Sequence, residues 1–151
     1  MMMALGMFIF SMHSVAYQTL SKQTSWRHGS QPRVGARAAR QFLGVGDETI
    51  SLPGWLAPGQ IGNSMSLSTV RDMANTGKAY TLVDGLGVFH GTYVIESITE
   101  TGSLFNRFGQ PRKIEFTIEL SRIDEDLQDN MLGDLSLPRF GPTGTSLGEL
   151  V

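Results

Sequence analysis

Few side chains in this sequence have the chemistry for catalysis or metal binding, and their spacing supports neither. His13, His28 and His90 lie in separate segments without HxxxH or HxH spacing, so they read as surface or ordinary hydrogen-bonding histidines. Ser11, Ser14, Ser21, Ser25 and Ser30 fall in no GxSxG elbow, and no His-plus-acid grouping accompanies them. Glu96, Glu100, Glu115 and Glu119 could form carboxylate pairs for acid–base work if adjacent strands brought them together. On alternating strands their simplest role is a solvated or interface-facing row. The absence of cysteine removes disulfides, thiolate nucleophiles and thiolate zinc sites together. Gly44-Val45-Gly46 and Gly85-Leu86-Gly87 superficially resemble phosphate loops, but neither enters a helix through a GK[ST] ending, and both read as turns. No catalytic, metal or cofactor site is expected, and the chain reads as a structural assembly part and not as an enzyme.

Binding surfaces are better supported. Residues 1–46 hold five basic side chains (Lys22, Arg27, Arg33, Arg37 and Arg40) and no acidic one; residues 47–151 hold seven basic and fourteen acidic. Such polarity suits complementary surfaces that steer association and fix register. Trp26 among the arginines is the kind of stacking platform that binds single-stranded nucleic acid. A dedicated binder should be strongly basic, however, whereas this chain has a pI near 5.9. An arginine-rich loop meeting an acidic arm of another subunit accounts for both halves. Leu104, Phe105 and Phe108 sit on a loop tip, where they either tuck onto the core or meet a partner.

The elements that carry these residues read as strands. Charged residues are 17% of the 151, and the 18 glycines and six prolines mostly separate short apolar runs. Leu5–Met12 reads as a continuous buried strand. It lacks the flanks of a signal peptide and falls well short of the about 20 apolar residues that span a membrane. Tyr17–Arg27 reads as its partner, and residues 28–35 as a turn-rich loop around Pro32. Ala36–Leu43 and Thr49–Leu56 follow, split by a hairpin turn at residues 44–47. One helix runs from a Ser66 cap to a Gly77 stop, with Leu67, Val70, Met73 and Ala74 on its apolar face. Strands Ala79–Val83, Val88–Thr99 and Lys113–Ile123 complete the domain, with a loop at residues 102–111. In the last strand Ile114, Phe116, Ile118 and Leu120 alternate with polar residues. The chain therefore divides into a β domain over residues 1–123 and an acidic extended C-terminal arm over 124–151. The arm carries six acidic side chains against Arg139 alone, and Leu132, Leu135 and Phe140 could anchor it on a neighbouring subunit.

Several runs resemble the tail protein U (GpU) family of contractile-tailed phages and prophages. They are Thr24-Ser25-Trp26-Arg27-His28, Arg33-Val34-Gly35 and Ala39-Arg40-Gln41-Phe42-Leu43-Gly44, then Asp47 and Thr49-Ile50. Asp72-Met73-Ala74-Asn75-Thr76-Gly77-Lys78-Ala79, Val94-Ile95-Glu96-Ser97 and Ile114-Glu115-Phe116-Thr117 continue the series, which covers roughly residues 5–124. The resemblance implies a mainly β fold with one flanking helix, a tail-tube-like two-sheet sandwich or partial barrel that closes in an oligomeric ring. It implies a virion protein, assembled in the bacterial host cytoplasm, at the junction of inner tail tube and baseplate hub. Its partners would be itself in a hexameric ring, the tail tube protein, the hub and adjacent baseplate proteins, with the sheath as a further neighbour. DNA would be transient cargo in the lumen, and no membrane would take part. A tail tube terminator at the head-proximal end is the alternative in the same class; a small ligand- or nucleic-acid-binding β-barrel is the alternative outside it.

Overall fold

The computed structural model describes residues 1–124. Its first strands, β1 (Met3–Leu5) and β2 (Phe8–Phe10), form a tight hairpin rather than the continuous strand expected over Leu5–Met12. Gly6 breaks the apolar run: its φ of +59° is left-handed, and a Cβ there would lie 2.7 Å from Tyr80 Cδ1. The hairpin buries Met3, Leu5, Phe8 and Phe10 on one side, with the two phenylalanine rings edge to face at 5.0 Å.

The largest departure from expectation concerns residues 17–56. Tyr17 makes only an isolated bridge to Gly54, and β3 runs from Ser21 to Arg33, through the expected loop. β4 then runs without a break from Ala36 to Leu56, so the two form one long hairpin that turns at Val34-Gly35. Pro32 is tolerated because β3 is an edge strand with a register shift between Gln31 and Arg33. The glycines expected to make a turn at residues 44–47 instead permit bulges, where the register shifts between Thr24 and Trp26 and between Arg27 and His28. Gly46 has no room for a side chain, since a Cβ would meet Ser25 Oγ at 2.5 Å.

Helix α1 spans Ser64–Asn75; its cap is Asn63, whose side chain accepts from the Met65 amide at 2.9 Å, and not Ser66. The helix buries Leu67 and Val70, and Gly77 follows its end with the expected positive φ. β5 (Ala79–Asp84), β6 (Phe89–Phe105) and β7 (Pro111–Ile123) complete the sheet. The expected loop over residues 102–111 contracts to Asn106–Gln110, because Asn106 Oδ1 accepts from the Phe108 and Gln110 amides and closes a tight turn.

Among the described residues the fold is mainly β with one helix, as expected. The strands form one seven-stranded antiparallel sheet, in the order β2-β1-β5-β6-β7-β4-β3, that does not close on itself. Its core lies on one face. Ile50, Leu52 and Leu56 of β4 pair with Leu120, Ile118 and Ile114 of β7, and Leu82 and Tyr93 continue the layer beneath α1. Each such fully buried aliphatic side chain contributes roughly 1.5–3 kcal/mol. The opposite face carries Ser51, Thr117, Glu115 and Glu119, with Trp55 among them under the Lys113 ammonium.

Candidate assembly interface

Beyond Glu48 no core lies beneath the β3–β4 hairpin among the described residues. The cross-strand pairs Trp26↔Val45 and His28↔Phe42 collect apolar side chains there, and the His28 and Phe42 rings lie 5.5 Å apart. Trp26 is 58% exposed and Phe42 60%, while Leu43, Val45 and Val34 at the tip are also open to solvent. Arg27, Arg33, Arg37 and Arg40 are exposed on the same hairpin. Among the described residues no ion pair reaches any of these four; the pairs there are Lys22–Glu48, Arg71–Glu100, His90–Asp84, Lys113–Glu115 and Arg122–Glu48. Five expected contact residues (Trp26, Arg27, Arg33, Arg37 and Arg40) are thus brought together on one projection.

The hairpin is clamped at its root. Glu48 is only 8% exposed, and Lys22 Nζ lies 2.8 Å from one carboxylate oxygen while Arg122 Nη1 lies 3.3 Å from the other. The Tyr93 hydroxyl donates a hydrogen bond to the same carboxylate from inside the core. One side chain therefore ties β4 to β3, β6 and β7. Burial pushes the Glu48 carboxyl upward, but the hydrogen bonds from Lys22 and Tyr93 and the charges of Lys22 and Arg122 outweigh it, leaving its pKa below the ordinary value. Burial is also the main cause that raises the Tyr93 phenol, reinforced by its hydrogen bond and proximity to the Glu48 charge.

A second apolar group lies at the other end of the sheet. β7 begins beside Leu56 and ends beside Thr49, so the β6–β7 turn and the β3–β4 tip point in opposite directions. Leu104, Phe105 and Phe108 are exposed at that turn and do not fold back onto the core. Leu132, Leu135 and Phe140 lie outside the described residues. The sequence did not single out Phe42, Leu43 and Val45 as exposed apolar side chains of this hairpin, although an apolar pair beside glycines in a segment with no acidic residue was a usable signal. Nor did it reveal the Glu48 clamp, whose partners are far apart in the chain. The glutamate row is only partly assembled: Ser97 Oγ donates to Glu119 at 3.3 Å, and Glu96 and Glu119 border a shallow depression with Ser21, Gln23 and Ser51. Among the described residues no cluster of His, Asp or Glu could hold a metal ion, and no helix is long and apolar enough to cross a membrane.

A family model for phage P2 GpU matches residues 6–125, most of the chain. The protein belongs to the GpU family. It is therefore a phage tail structural protein, a virion component that associates with other tail parts. The family match covers the described residues from Gly6 onward, the long hairpin included. No curated protein matches this GpU-family chain.

Proposed function

We propose that this protein forms a hexameric ring at the junction of the inner tail tube and the baseplate hub, is needed for tail assembly, and acts without catalysis. The observation that carries the proposal is the β3–β4 hairpin, a long basic projection bearing exposed aromatic and aliphatic side chains, with no core beneath it among the described residues. The sheet is open, with β2 and β3 as its edges, and ring closure would give such edges partners. Its two apolar ends differ in sequence and shape, one a long ribbon and the other a tight turn, which suits head-to-tail stacking, where one surface meets an unlike mate. The tube protein on one side, hub and baseplate proteins on the other, and the sheath outside are the partners this placement implies. The Arg33–Arg40 group faces protein neighbours and not the lumen, because a basic lining would grip passing DNA phosphates.

Negative-stain imaging of the purified protein, alone and with tube protein, tests the proposal. Rings of tube diameter are expected, with assembly that depends on salt and is lost in an Arg37→Glu, Arg40→Glu variant. A monodisperse monomer that ignores tube and hub proteins and retards DNA on a gel would overturn it in favour of a nucleic-acid-binding role. Capping of the opposite tube end would favour a terminator.

A further inference from the structure

The sheet face opposite the core is built from hydroxyls and carboxylates. β6 sets Ser97, Thr99 and Thr101 across from Glu119, Thr117 and Glu115 of β7, and Ser51 of β4 joins the Glu119 row from the other side. Ser97 Oγ donates to Glu119, and Glu96 borders the same shallow depression. Lys113, over the half-buried Trp55, is the one cation on this stretch among the described residues, and Glu115 Oε1 lies 2.7 Å from its ammonium. Carboxylates are therefore the unbalanced charge. Threonine, branched at Cβ, keeps such strands regular without apolar side chains. Burying hydroxyls and carboxylates without partners is unfavourable, so this face suits water and not a protein neighbour.

We infer that this Ser/Thr/Glu face lines the lumen of the ring, as a weakly repelling surface past which DNA phosphates slide; the inference rests on the ring proposed above. In a ring closed through β2 and β3, one sheet face turns toward the axis and the other away from it. The core face carries α1, which packs Leu67 and Val70 into the core and adds a layer about 10 Å thick. The wider outer circumference accommodates that layer, which leaves the hydroxyl face toward the axis. Electrostatics agrees with this direction. Neutral hydroxyls and carboxylates displace no counterions from DNA, so nothing on the stretch holds it. The arginines of the β3–β4 hairpin lie beyond Glu48, off these rows.

Topology of the DNA gives the test, because a linear duplex can thread a preformed ring and a covalently closed circle cannot. Both probes, of the same sequence, are mixed with rings isolated by gel filtration from the native full chain and from Glu96→Lys, Glu119→Lys. The two glutamates are exposed, so the variant should form rings in native yield. Its rings should hold linear duplex at least about tenfold more tightly than native rings do, a gain that added salt removes, while the closed circle stays unbound. Glu119→Lys alone repeats the test with half the added charge. Equal retention of linear and circular DNA would place the face outside the ring and overturn the inference. Variant rings with no gain in DNA retention would overturn it too. Loss of rings in both variants, where the native chain forms them, would make the face a contact between copies. Absence of rings from the native chain would instead sink the ring itself, and this inference with it.

Discussion

Replacing Glu48 with glutamine removes the charge on which the hairpin root converges while nearly preserving its shape. The expected cost follows from what each partner loses. Lys22 and Arg122 keep more than a third of their side-chain surface exposed, so water rehydrates them and their lost ion pairs contribute about 1 kcal/mol or less together. The Tyr93 hydroxyl is different, because the residue is fully buried and the carboxylate is the acceptor it donates to. A weaker or misoriented acceptor there costs about 1–3 kcal/mol. The expected destabilisation is therefore about 1–4 kcal/mol by urea titration, with the m-value unchanged. Tyr93→Phe alone should cost about 1 kcal/mol. The two changes should not add: Glu48→Gln with Tyr93→Phe should fall short of the sum by at least about 0.5 kcal/mol, as expected for groups in one network. A Glu48→Gln cost within about 0.5 kcal/mol of zero, the range of ordinary surface substitutions, together with strict additivity, would refute the clamp.

Acid should expose the same device. Glu48 binds its proton less readily in the folded chain than in the unfolded one, so it stabilises the fold above the ordinary carboxylate pKa and that contribution is lost as pH falls through its lowered folded value; the acid limb of the stability profile should flatten in Glu48→Gln. Leu52→Ala should cost about 2–5 kcal/mol by urea titration, since the side chain is fully buried against β7. Phe42→Ala should leave the isolated domain within about 0.5 kcal/mol yet weaken assembly in sedimentation, because this ring is exposed with no core beneath it among the described residues. Gly54→Ala should destabilise by about 1–3 kcal/mol in the same titration, as its Cβ would come within 2.5 Å of the Ala16 carbonyl oxygen and 2.6 Å of Phe116 Cζ.

What could be read from the sequence divides along a physical line. β7 was legible because it is half-buried: Ile114, Phe116, Ile118 and Leu120 face the core and their neighbours face water, so the period of two is written in its residues. Helix α1 was legible for the same reason at a period near 3.6, and only its cap was misplaced, by three residues. The distal halves of β3 and β4 were not legible, because both faces are exposed and no burial imposes alternation. Gly44 and Gly46 carry the same signal for a bulge as for a turn, and which one forms depends on the strand opposite. The proposed contact residues stood out by type, since arginines that meet no acidic side chain among the described residues cluster in sequence around a tryptophan. Their gathering on a single projection was not legible, because it depends on the hairpin continuing where a loop was expected.

The hairpin also raises a question of order that the clamp answers. A two-stranded ribbon alone is marginal in water, and this one extends from Thr24 and Glu48 to Val34 and Gly35 with bulges interrupting its ladder. Its direction must therefore be set at the root, where Glu48 joins β3, β6 and β7 through Lys22, Tyr93 and Arg122. A ribbon aimed by its base, with no core along its length among the described residues, can adapt its tip to a partner while keeping its register on the body. Loosening the base should then disturb assembly more than stability. If so, Lys22→Met, which removes the half-exposed partner of the buried Glu48 carboxylate but leaves Arg122 and Tyr93 on it, should cost only about 0–1 kcal/mol in urea titration but reduce the yield of rings or tube-bound complexes. Equal yields from Lys22→Met and native protein would mean that the hairpin is aimed by its backbone ladder alone.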